Sequence, residues 1–336
     1  MLIAFAGKGR ADFFIHHIEN NGRFTRYIES TPLTSRFYGI NWYDYQSFWE
    51  NSNGHAIAPD LKTIYFLLNS VGRTGLAAID LASGDIVPGI PFQISPFSQS
   101  PESVSIFGGS ALRFDQNTQT LLMGALNGPS SSSSSVVAFN STTGAYRGSG
   151  DLPPAAGQVS HLIVDPNLST LGQHPILAAT PNGIYRSEGF FSSRTPTFIW
   201  QFSRIIPEVS GDIAIGPDGL LYVGERASGK INRYNATTGA FIDTFLTAAD
   251  VASTDFTSIE FSQGGALYVY SANRVVPMGW VTKLNPWTRE VLRSYRLSPA
   301  GSQLLTLIPE PAATSLALIA VVGGLSLSRR PRTRVG

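Results

Sequence analysis

The sequence predicts an all-β fold: a β-propeller of about six four-stranded blades, followed by a separate C-terminal segment. Three observations predict it. From Ala11 to Leu307, short runs rich in Val, Ile, Phe and Tyr alternate with Gly, Asn, Asp and Ser turns. No long segment of helical period interrupts them. A unit of about fifty residues recurs, and one propeller blade takes about 40–50.

The clearest copy is Asp212–Phe245, which reads as strand, Pro-Asp-Gly turn, strand, Gly turn, strand, Asn-x-x-x-Gly turn, strand. His55–Val87, Ala111–Arg147, His161–Tyr185 and Ser258–Tyr295 follow the same plan. Asp80, Asn140, Asn235 and Asn285 hold matching turn positions, and the double gap between Asn140 and Asn235 is filled by the copy containing His161. Asn or Asp bonds its own backbone two residues on, and Gly accepts positive φ. Asn140–Gly144 and Asn235–Gly239 therefore read as hairpin tips between outer strands, with Arg289 in place of Gly making a weaker third tip. Asn20-Asn21-Gly22 looks like a further tip. Phe13–Ile28 then reads as the last two strands of an incomplete first blade. Its missing strands are expected from Gln303–Leu307 or from residues upstream of Met1. Ser130–Ser135 reads as a flexible loop. The plan is similar to that of NHL and WD40 propellers, with a pair of β-sandwiches as the structural alternative.

Residues 308–336 differ from the rest. Ala312–Leu327 carries no charge, follows Pro309-Glu310-Pro311 and precedes Arg329, Arg330, Arg332 and Arg334. Sixteen residues as a helix span about 24 Å, a little short of the bilayer core of about 30 Å. Arginines flanking one end of such a segment stay cytoplasmic, so residues 1–307 would lie across the membrane. The order Pro-Glu-Pro, apolar helix over 312–328, Arg cluster resembles the PEP-CTERM sorting signal of bacterial proteins. That resemblance implies recognition by an exosortase-type membrane protease, cleavage near Pro309–Pro311 and delivery to the cell surface. An exported chain needs a positive n-region before an apolar run. Here MLIAFAG precedes Lys8 and Arg10, so no signal peptide is legible and the natural start is expected upstream.

The composition narrows the chemistry. Charged residues are 14% of the chain, against about 25% for an average soluble domain. A formal net charge of +1 gives no basic face for nucleic acid. The absence of cysteine excludes disulfides, thiolate metal sites and a Cys nucleophile. His16, His17, His55, His161 and His174 show no metal-ligand spacing, and neither a G-x-S-x-G elbow nor a phosphate loop is present. Gly7-Lys8-Gly9 is too short for one. Asp60, Asp115, Asp165 and Asp218 recur near equivalent turns. They could form a calcium-binding ring like that of lactonase-like propellers, but turn formation is the plainer reading. Glu225, before Arg226, is a weak channel candidate. Asn140, Asn167 and Asn235 match the glycosylation pattern by chance.

Aromatic residues crowd Phe37–Trp49, and Trp42, Tyr43 and Trp49 are candidates for stacking on sugar rings. A connector whose rings pack on the sheet is the simpler explanation. The expectation is an exported, surface-sorted, non-enzymatic propeller of the cell envelope or extracellular matrix, linked to exopolysaccharide, with no cofactor and no nucleic-acid partner. The alternatives are a metal-dependent lactonase- or lyase-like enzyme and a protein-interaction scaffold.

Overall fold

The computed structural model describes residues 13–16, 24–28, 34–38, 55–58, 62–70, 73–80, 86–93, 108–115, 118–126, 134–165, 175–192, 197–209, 211–225, 228–251, 256–262, 264–273, 278–297 and 305–307. They form 24 strands and one short 3-10 helix, Ala248–Val251.

The strands follow one another as antiparallel meanders. They are β1 (Phe13–His16), β2 (Phe24–Ile28) and β3 (Thr34–Tyr38); then β4 (His55–Ile57), β5 (Thr63–Ser70), β6 (Arg73–Asp80) and β7 (Ile86–Gln93). Next are β8 (Gly108–Asp115), β9 (Thr120–Leu126), β10 (Ser134–Asn140) and β11 (Tyr146–Asp151), then β12 (His161–Val164), β13 (Ile176–Thr180), β14 (Gly183–Ser192) and β15 (Thr197–Pro207). The last are β16 (Gly211–Ile215), β17 (Leu220–Glu225), β18 (Lys230–Asn235) and β19 (Phe241–Thr247); β20 (Phe256–Phe261), β21 (Leu267–Asn273), β22 (Met278–Leu284) and β23 (Val291–Leu297); and β24 (Leu305–Leu307).

The architecture is an all-β propeller, but its sheets are not six separate blades. Among the described residues there are four self-contained four-stranded blades and one eight-stranded sheet. The eight-stranded sheet is two successive meanders, β8–β11 and β12–β15. They are fused because Gly148 and Ser149 of β11 pair in parallel with Phe198 and Ile199 of β15. The physical reason is the length of β14 and β15, a hairpin of ten and eleven residues that outruns its blade and reaches the neighbouring outer edge.

The first blade also departs from expectation. Phe13–Ile28 supplies its two middle strands, and β3 is the outer one. The innermost strand is β24, paired with β1 at Phe13↔Leu307, Phe14↔Thr306 and Ile15↔Leu305. Strands from both ends of the repeat thus close one blade, and Leu305–Leu307, within the expected Gln303–Leu307, supplies the missing strand.

Strands β4, β8, β12, β16, β20 and β24 are innermost, and successive ones from β4 to β24 pack together. Apolar side chains fill the spaces between neighbouring sheets. Ile213, Leu221 and Val223 meet Ile163, Leu177 and Ile206 on one side of the β16–β19 blade. On its other side Ala214 and Tyr222 meet Phe256, Ile259 and Val269. The near-continuous apolar strands, such as LLMGAL and ILAAT, follow from burial on both faces.

The tips form as their residues dictate. Asn140 Oδ1 accepts the N–H groups of Thr142 and Thr143, and Asn235 Oδ1 those of Thr237 and Thr238. Gly144 and Gly239 close these turns at φ +68° and +71°. The Asn285 tip has the same bonds to Trp287 and Thr288, with Arg289 itself at φ +62°. The tip is therefore retained despite the missing glycine. The serine run is corrected in part: Ser134 and Ser135 are buried residues of β10, and the Ser134 hydroxyl donates to Gly157 O at 2.6 Å. Ser130–Ser133 lie outside the described residues, as do Asn20–Gly22 and the expected helix over 312–328. No described helix is long and apolar enough to cross a membrane.

Candidate functional site

Polar groups converge where the inner strands surround the axis. Arg113 on β8 donates from its guanidinium to Glu260 Oε1 on β20 at 3.1 Å. Going round the ring in chain order, β12 and β16 stand between those two strands, so the pair spans the channel. Arg113 keeps 42% of its side-chain exposure and Glu260 keeps 17%.

Beside this pair lies a second cluster. Asp212 on β16 is 8% exposed. Its Oδ1 accepts the Ile213 N–H at 2.8 Å, and its Oδ2 accepts the Ser258 hydroxyl at 2.6 Å and the Ile259 N–H at 2.7 Å. His161 Nε2 on β12 stands 3.3 Å from Oδ1. The other ring nitrogen, Nδ1, is 3.2 Å from Ser160 Oγ, and that hydroxyl also donates to Ala179 O. One carboxylate thus ties three successive inner strands together. Both of its oxygens are occupied by protein donors, which suits a brace better than a cation ligand.

The recurrent aspartates do something else. Thr118 donates to Asp115 Oδ2 at 2.6 Å across its own turn. Asp218 Oδ1 accepts the Leu220 N–H, while Oδ2 accepts the Tyr222 hydroxyl at 2.9 Å and lies 3.5 Å from Arg233. Asp165 is buried at the end of β12, and Asp60 lies outside the described residues. Glu225, the channel candidate, is on the second strand of its blade and is held there by Ser228, Asn232 and Tyr234. Burial and the nearby Glu225 charge push the Tyr234 hydroxyl up to about 12. Among the described residues, no three His, Asp or Glu side chains are grouped to hold a metal ion.

A third cluster joins two blades at the rim. Arg233 grips Asp243 with two bonds of 2.7 Å, and Arg289 from the next blade donates to the same carboxylate at 2.8 Å. Both guanidinium groups lie over the Phe245 ring, at 5.6 and 5.4 Å from its centroid. The hydrogen bonds from Arg233, with the two positive charges, hold the Asp243 carboxyl below the usual carboxylate range. The Arg233 guanidinium is raised in turn by its bonds to Asp243. Burial raises the Tyr222 hydroxyl well above its ordinary value.

Trp42, Tyr43, Trp49, Pro309, Glu310, Pro311, Arg329, Arg330, Arg332 and Arg334 lie outside the described residues. Arg113, Glu260 and Asp212 were missed by sequence reasoning. Arg113 and Glu260 each stand two residues before the turn that ends an inner strand, where Ala56, Ile163 and Ala214 stand in other copies. Comparing that column across the copies would have exposed an opposite charge pair on an otherwise apolar position.

No protein-family model matches the sequence, and no curated protein is similar to it. Solved structures show the fold. The chain is similar to a protein of unknown function from Bacteroides caccae, with TM-score 0.60 at 10% identity over 90% of this chain and 100% of that one. A chain of the nidogen/laminin complex gives TM-score 0.59 at 10% identity over 89% and 98%. TolB from Acinetobacter baumannii gives 0.55 at 15% identity over 90% and 67%. These likenesses and the closed sheet topology define the class: a β-propeller.

Proposed function

We propose that this chain is an exported propeller sorted to the bacterial cell surface through residues 308–336, with a non-enzymatic binding or structural role linked to exopolysaccharide. The observation that carries the reading is the C-terminal order Pro309-Glu310-Pro311, an uncharged stretch to Leu327, then Arg329, Arg330, Arg332 and Arg334. Its position supports the same reading. The closing strand β24 ends at Leu307, directly before the tail that begins at residue 308. Residues 1–307 form the propeller, with the fused eight-stranded sheet counted as two blades sharing an edge in a ring of six. The tail forms a membrane-inserted helix over 312–328 and meets an exosortase-type protease transiently. Trp42, Tyr43 and Trp49 supply stacking faces for glycan. Mass spectrometry of the C-terminal peptide from native cells tests this: an end near Pro309–Pro311 is expected, and an intact Gly336 end overturns it.

A second reading, a propeller enzyme of lactonase or lyase type, draws on His161 held between Ser160 and Asp212 at the channel. It requires turnover by the purified chain that His161→Ala abolishes while the fold is kept.

A further inference from the structure

The large apolar side chains that stand exposed among the described residues are Phe241, Ile242, Trp287, Val291 and Leu292. Phe241 and Trp287 are each 58% exposed. They sit on the outer hairpin tips of two adjacent blades, β18–β19 and β22–β23, joined by the Arg289–Asp243 contact. The Asn140 tip, which is equivalent, exposes Thr142, Thr143 and Ala145 instead. Among the described residues no other outer hairpin exposes a large apolar side chain, so these two stand out.

Strand direction fixes which face of the propeller this is. In a four-strand meander, the end of the first strand and the turn between the third and fourth lie on the same side. Neighbouring inner strands run in the same sense: Asp212 near the start of β16 meets Ser258 near the start of β20, and Gly216 just after β16 faces Phe261 at the end of β20. The end of β24 at Leu307 therefore opens on the face that carries Trp287 and Phe241. Five residue steps separate Leu307 from Ala312. Fully extended, they reach about 17 Å.

We propose that this rim is a membrane-contact surface: the five apolar side chains enter the interfacial layer of a phospholipid bilayer while Arg289 and Arg293 meet headgroup phosphates. The proposal rests on insertion of the tail in the functional reading above. A short tether brings this face, and no other, against the bilayer. Trp and Phe suit the interfacial layer because a large ring tolerates a boundary between wet and apolar. Arginine beside them pairs with phosphate.

The chain contains no cysteine, so single-cysteine labelling is clean. Full-length chain carrying a fluorophore at Trp287→Cys, Leu318→Cys or Lys230→Cys is reconstituted into mixed phosphatidylglycerol and phosphatidylcholine vesicles. Lys230 is exposed at the start of β18, on the opposite face. Quenching by lipid-borne quenchers is expected at 287 and 318, with none at 230. Quenching at 318 without 287 overturns the membrane-contact rim and leaves the sorting tail standing. Quenching at none of the three overturns both. Quenching at 287 alone upholds the rim and removes tail insertion. Equal quenching at 230 and 287 overturns the assignment of a face.

Discussion

The Arg113 guanidinium and the Glu260 carboxylate meet at 3.1 Å across the propeller axis, from inner strands that are not neighbours. Because Arg113 remains 42% exposed, water screens the pair. A double-mutant cycle of Arg113→Met and Glu260→Gln in urea is expected to give a coupling of at most about 1 kcal/mol, shrinking with added salt. A coupling several times larger, insensitive to salt, would mean the channel excludes water.

Asp212 should matter far more. Asp212→Ala leaves the Ser258 hydroxyl and the N–H groups of Ile213 and Ile259 without their acceptor. The expected loss in urea unfolding is about 3 kcal/mol, since stranded buried donors carry their full desolvation cost. Ser258→Ala removes one donor and should cost about 1 kcal/mol.

Glycines separate conformational strain from steric conflict. Gly219 and Gly239 both have positive φ, +75° and +71°. A Cβ at 219 meets nothing, whereas a Cβ at 239 runs into the Ile205 carbonyl of the preceding blade. Gly219→Ala should cost about 1 kcal/mol. Gly239→Ala should cost about 1–3 kcal/mol beyond that, because the tip must lift off β15. Equal thermal melts for the two variants would contradict this.

Arg289 carries both strain and a contact. Arg289→Gly and Arg289→Ala lose the same bond to Asp243, but only Gly is at ease at φ +62°. The Gly variant should therefore be more stable than the Ala variant by about 1 kcal/mol.

Asp243 links the rim to pH. Its carboxyl titrates below the usual value in the folded chain, so its contribution is complete above the unfolded value near 3.9 and is lost as pH falls through the lower folded value. Wild type and Asp243→Asn should differ in urea midpoint at neutral pH, begin to converge below about pH 4 and meet only in stronger acid. A difference that persists unchanged in acid would show that the two arginines do not act through charge.

The repeat was legible because turn chemistry is local. Asn140, Asn235 and Asn285 announce their tips by residue type, and the structure adds their bonds. What escaped was non-local. Nothing in Thr197–Pro207 states that β15 will pair in parallel with β11, since that depends on how far a long hairpin extends past its blade. The Ser134 and Ser135 hydroxyls look like loop composition until Gly157 O and Asp151 accept from them. Arg289 looked like a defect in its turn; its reach to Asp243 on the neighbouring blade is visible in three dimensions alone. The channel pair escaped because Arg113 and Glu260 are separated by 147 positions.

Three residue pairs between β1 and β24 hold the ring shut. They join positions that are as distant in sequence as the propeller allows. Closing a loop costs only about 0.6 kcal/mol more for each doubling of its length, yet non-local pairing slows folding strongly. Until Leu305–Leu307 has been synthesised and has found Phe13–Ile15, the chain is an open arc with a free sheet edge at its start. Loss of those three pairs alone would turn the ring into an arc whose first sheet ends on an unpaired β1.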